Sequence, residues 1–215
     1  MLADHVVIEW GVAERSLGGH AESGDQYLVQ AFPHGALVAV VDGLGHGDRA
    51  AEVSKAAVVT LQAHAHESVI SLMQRCHESL KGSRGAVVSL ASFNTAKNTM
   101  TWLGVGNVDG IFLHINAQQP AVHKSLLLRG GVVGYRLPNL YDAVLPVMPG
   151  DLLIFVTDGI RSGFIKEQFQ SYSSAPTFDR AKPAQQIADF ILAEYGRQTD
   201  DALVLVARYK GGQPD

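Results

Sequence analysis

The chain has 215 residues, 47% of them hydrophobic and 18% charged, enough for the core of one compact domain spanning 1–215 and without need of a second. Its 17 Lys and Arg against 21 Asp and Glu give a net charge of −4, and no basic block marks a nucleic-acid-binding face. A single cysteine excludes an internal disulfide framework. With neither a basic, apolar leader nor an apolar run near membrane-span length, a soluble, cytoplasmic monomer is expected.

Apolar runs rich in Val, Leu and Ile predict strands over 5–10, 26–32 and 36–41. Two helical segments follow, 48–64 and 68–81; in the second, Val69, Leu72, Met73, Cys76 and Leu80 share one face at three- and four-residue spacing. Strands are predicted next over 86–93, 99–105, 110–115, 121–128, 143–147 and 152–157. The connections at 94–98 and 106–109 are short enough to suit antiparallel hairpins. The stretch 171–184, with its Ser, Pro and Asp, reads as a mobile surface segment. Pro183 then sits in the first turn of a helix over 183–195 striped by Ile187, Phe190, Ile191 and Tyr195, and a strand over 202–209 follows. This order predicts an α+β sandwich, two antiparallel sheets with helices on their outer faces.

Carboxylates recur at the ends of these runs. Asp25 lies in SGDQY before a strand, Asp42 ends LVAVVD, Asp158 ends LLIFVTD, and Asp200 and Asp201 open ALVLVARY. An Asp-Gly after one strand is ordinarily a turn, but four strand ends carrying acids suggest a common cleft. Clustered carboxylates repel one another unless a cation neutralises them, and hard oxygen donors suit Mg2+ or Mn2+. In VVDGLGHGD, Gly43 would let the chain turn and leave its carbonyl as a further oxygen ligand. Gly45 and Gly47 would let the backbone pass close to a substrate before a helix whose N-terminus favours an anion.

The ordered set SGDQY, VVDGLGHG, RGAVVSLASFN, WLGVGNVDGIFLHI, GVVGY, PGDLLIFVTDGI and TDDALVLVARY resembles the metal-dependent type 2C protein phosphatases, in their bacterial SpoIIE-like branch. The resemblance runs from about Asp25 to Tyr209. It implies a central β-sandwich flanked by helix pairs in αββα layers, and hydrolysis of phosphoserine or phosphothreonine at two Mn2+ or Mg2+ ions. It implies Asp25, Asp42, Asp158 and Asp200 as metal ligands, with the Gly43 carbonyl, and Asp42 as the bridge between the ions. The implied substrates are phosphorylated regulatory proteins of a bacterial stress-signalling complex, of the stressosome-scaffold or anti-anti-sigma kind. Two positions depart from the pattern: Asn107 stands where many relatives have an Asp that helps hold a third metal, and Leu203 where Thr is common.

Other candidates give simpler readings. Cys76, on an apolar stripe, reads as a core thiol rather than a nucleophile. Trp10 and Trp102 read as core residues and the nine histidines as surface ones. His46, inside the glycine loop, is the histidine that could touch phosphate; Arg161 reads as solvated. GLGHG lacks the Lys-Ser/Thr ending of a P-loop. The competing function is a catalytically silent binding module, whose mark would be loss of the aspartates.

Overall fold

A computed structural model describes residues 7–17, 22–114, 122–161, 164 and 179–212. One sheet has the order β1-β10-β9-β6-β7, the other β2-β3-β4-β5-β8, and all neighbours pair antiparallel. The first sheet comprises β1 (Ile8–Arg15), β10 (Ala202–Tyr209), β9 (Leu152–Val156), β6 (Asp109–His114) and β7 (Val122–Ser125). The second comprises β2 (Asp25–Phe32), β3 (Gly35–Gly43), β4 (Ala86–Asn94), β5 (Thr99–Val105) and β8 (Ala143–Pro146). Helices α1 (Asp48–Ala63) and α2 (Val69–Ser79) cover the second sheet, and α3 (Ala184–Tyr195) covers the first.

The two-residue period of strands explains why several runs are apolar on every position. In β3, Val38 and Val40 enter the core between the sheets, while Leu37, Ala39 and Val41 face α1 and α2. In β10, Leu203, Leu205, Ala207 and Tyr209 point into the sandwich, and Ala202, Val204 and Val206 meet Ile187, Ala188 and Ile191 of α3. The layering is therefore helix, sheet, sheet, helix. On α2 the predicted stripe Val69, Leu72, Met73 and Cys76 is buried, and Ser68 caps the helix by accepting the Ser71 N–H at 3.2 Å.

Three expectations change. Trp10 is 44% exposed and lies against Tyr27 on the sandwich edge, because β1 is an edge strand with a half-solvated face. That face also hid the strand's extension to Arg15, whose polar residues pair in register with β10 as far as Arg15↔Ala202. The strand expected over 121–128 ends at Ser125, since the chain then crosses to the other sheet, where Arg129 bridges Val105. Residues 171–178 of the expected surface segment lie outside the described residues. No helix among the described residues is long and apolar enough to cross a membrane.

Candidate metal centre

The antiparallel pairing brings the acids to one end of the sandwich. Asp25 opens β2 and Asp42 lies near the end of β3, and the two are direct cross-strand partners. Asp158 follows β9 and Asp200 precedes β10, strands that are neighbours in the other sheet. Like charges placed directly opposite destabilise a sheet. The arrangement therefore persists against its own electrostatics.

Burial sharpens that conflict. Asp25 is 3% exposed, and its carboxyl is pushed up to about 7, first by desolvation and then by Asp201, Asp158 and Asp200, against a lowering hydrogen bond from Thr157. Asp42 is pushed up to about 8, again by desolvation first and then by Asp25, Asp158, Asp200 and Asp201. Asp200 is raised by desolvation and Asp158, with Arg197 pulling the other way. Among the described residues no three acidic, histidine or cysteine side chains close into a ligand shell as they stand. The donor set nonetheless fits Mg2+ or Mn2+: all its donors are oxygens, and Mg2+ characteristically keeps several waters and takes only one or two carboxylates.

The two Asp-Gly glycines have a packing explanation. Gly43 does not take a positive φ; a Cβ there would stand 2.2 Å from the Ala50 carbonyl oxygen, so α1 crosses directly over it. Gly159 is the counterpart in the other sheet, where a Cβ would lie 1.9 Å from the Asp201 carbonyl oxygen. The expected role of Gly43 in a turn is thus replaced by close approach of a helix. The conformational demand falls on Gly45 and Gly47, at φ 107° and 70°.

Sequence reasoning missed two supporting residues, Thr157 and Asp109, and gave Asp201 a place among the strand-end acids without its structural role. Thr157, 1% exposed, donates its hydroxyl to Asp25 Oδ2 at 2.7 Å and accepts the Leu203 N–H at 2.9 Å, tying one sheet's ligand to the other sheet's strand. Asp201 accepts backbone N–H bonds from Leu17 at 2.6 Å and Gly24 at 2.7 Å, so it clasps the chain ahead of β2. Asp109 is raised by desolvation and by Asp158. Of these, the Thr in VTDG and the doubled Asp in TDDA were visible in sequence, but their cross-sheet partners were not.

The remaining candidates sort cleanly. Asn107 donates its amide to Asp158 Oδ2 at 2.8 Å, where an Asp would have added another repelling carboxylate. Leu203 packs in the sandwich core. His46 is exposed on the glycine loop. Arg161 is exposed, as expected, and is also held: its guanidinium lies over the Tyr195 ring and donates to the Glu194 carbonyl. Cys76 is fully buried, its thiol pushed up to about 12 by desolvation, and Trp102 is 2% exposed. His114 departs from the surface reading, its Nδ1 lying 2.9 Å from the buried Asp151 carboxylate.

Comparison with known proteins agrees with this fold. The phosphoserine phosphatase RsbX of Bacillus subtilis (strain 168) is 36% identical over 90 residues, which are 42% of this chain and 45% of that protein. The chain thus spans less than half the length of that relative. A solved structure described as "The bacterial stressosome: a modular system that has been adapted to control secondary messenger signaling" superposes with a TM-score of 0.79 at 29% identity, covering 94% of this chain and 99% of that one. RsbX in complex with magnesium superposes equally well, at 0.79 and 23% identity, covering 94% and 96%. The family model for stage II sporulation protein E (SpoIIE) matches residues 33–210; the chain belongs to the SpoIIE family.

Proposed function

We propose that the protein is a metal-dependent phosphoserine/phosphothreonine protein phosphatase, acting as one unit over 1–215. The observation that carries this reading is the convergence of mutually repelling carboxylates at one rim, the buried Asp25 and half-buried Asp42 being raised to about 7 and 8 beside the exposed Asp158 and Asp200. Asp25, Asp42, Asp158 and Asp200 would hold two Mg2+ or Mn2+ ions, helped by the Gly43 carbonyl, with Asp42 as the shared ligand. When bound, such ions supply an activated water for in-line attack at phosphorus and neutralise the phosphoryl oxygens. The chain's own part is to fix the ligands. Thr157 holds Asp25 through its hydroxyl, Asn107 holds Asp158 through its amide, and Asp201 anchors the segment leading into β2. Substrates would be phosphorylated signalling proteins of a cytoplasmic stress-response complex, in keeping with the kinship to RsbX and the stressosome structure.

The test is hydrolysis of p-nitrophenyl phosphate and of a phosphoserine peptide. Turnover is expected only with added Mn2+ or Mg2+ and is expected to vanish with EDTA. Inhibitors of the okadaic-acid type are expected to have little effect. Full turnover in chelator rejects the reading.

A further inference from the structure

The proposed centre has an electrostatic difficulty. Its four proposed ligands, Asp25, Asp42, Asp158 and Asp200, only balance two divalent cations, and Asp201 and Asp109 beside them leave the rim net negative where a phosphomonoester dianion must approach. Two arginines of the described residues bear on this rim. Arg197 stands on the Asp200 side, where its charge already acts on that carboxylate, and its backbone N–H is bound to the Gly159 carbonyl at 2.7 Å.

Arg84 is placed differently. It belongs to the loop from α2 to β4, which is rigidly held: Ser83 Oγ donates to the Leu80 carbonyl at 2.6 Å and accepts the Gly85 N–H at 3.0 Å. Ala86 and Val133 exchange backbone hydrogen bonds of 2.9 and 2.8 Å. The loop is stapled to VVDGLGHGD by the Leu44 N–H, which donates to the Gly85 carbonyl at 3.0 Å. From there the exposed Arg84 side chain reaches over Gly45, where a Cβ would stand 2.6 Å from Nη1. A side chain at position 45 would displace the guanidinium, so Gly45 leaves both the backbone angle and the space that Arg84 uses. Among the described residues Arg84 makes no ion pair.

We propose that Arg84 is a substrate-binding residue that captures the phosphoryl oxygens of the phosphomonoester and holds them against the glycine loop; the proposal rests on the phosphatase reading above. A guanidinium presents parallel N–H donors that match two phosphoryl oxygens, and it retains its charge at any physiological pH. It brings positive charge to the metal-loaded cleft over Gly45, which lies three residues along the chain from Asp42.

The full chain loaded with Mn2+ tests this in the wild type, Arg84→Ala and Arg84→Lys. Arg84→Ala is expected to raise KM for p-nitrophenyl phosphate and the calorimetric Kd for inorganic phosphate by about 10- to 100-fold, the range of a lost charge-assisted hydrogen bond. Arg84→Lys is expected to fall between, with Mn2+ affinity and Tm at wild-type values in both. An unchanged phosphate Kd in Arg84→Ala overturns the proposal, as does an equal loss of Mn2+ affinity, which would make Arg84 part of the metal site or the fold. A wild type that binds no phosphate also overturns it. A wild type that binds phosphate but hydrolyses neither substrate rejects the phosphatase reading instead, and the phosphate Kd of the variants still decides Arg84.

Discussion

Asp42 and Asp25 face each other across two strands at a separation set by the backbone, and the Asp25 charge adds to the desolvation that pushes the Asp42 carboxyl up. Asp42→Asn removes one of the repelling charges. It is expected to lower turnover by at least about 100-fold while leaving the metal-free protein as stable as wild type or more so, and an activity assay beside a melting curve checks both. Gly43→Ala tests a different property of the same motif, since its methyl would meet the Ala50 carbonyl oxygen rather than the cleft. A loss of about 1–3 kcal/mol, read by urea denaturation, is expected from that overpacking. At Thr157 the expected result runs the other way. Thr157→Val keeps the volume but removes the donor to Asp25, so metal affinity is expected to fall about 10- to 100-fold, as for other groups that orient a ligand.

The strand ends are the elements that matter here, and much of their placement was legible in the sequence. LVAVVD and LLIFVTD announce buried strands finishing in a carboxylate, and the observed β3 and β9 place their acids at one end of the sandwich. What local pattern could not carry was every relation between distant elements. That Gly43 exists for α1 depends on where a helix crosses. That Thr157 bonds Asp25 depends on two sheets meeting 132 residues apart in sequence. Edge strands were the other weak point, because the half-solvated β1 lacks the clean periodicity of a buried strand, and so Trp10 was placed inside when it lies 44% exposed. The role of Arg84 was hidden for the same reason as that of Thr157: its partner is a loop some forty residues away, brought close by the β3–β4 pairing that runs to Gly43↔Ala86 and by the Leu44 to Gly85 hydrogen bond.

At the scale of the molecule, the acidic rim makes stability depend on pH and on metal. Asp25 and Asp42 hold protons in the folded state to about 7 and 8, against an ordinary carboxyl value of 3.8 when unfolded. Between about pH 4 and pH 8 the folded state therefore binds more protons, and stability falls as pH rises through that window before levelling off. Thermal melts in EDTA are expected to show a Tm that declines from pH 5 to pH 8. Saturating Mn2+ is expected to restore Tm most at the upper end, because binding to the folded state alone adds stability by mass action. A Tm in EDTA that rises over the same range would be inconsistent with buried, raised carboxylates. The measurement that bears most directly on the whole account is the number of Mn2+ ions bound at pH 8, determined by equilibrium dialysis for the wild type and for Asp42→Asn with its fold verified by circular dichroism. Two ions per wild-type chain and loss of tight binding in the folded variant are the expected result; a folded wild type that binds no Mn2+, or a variant that binds two ions as tightly as wild type, would contradict it.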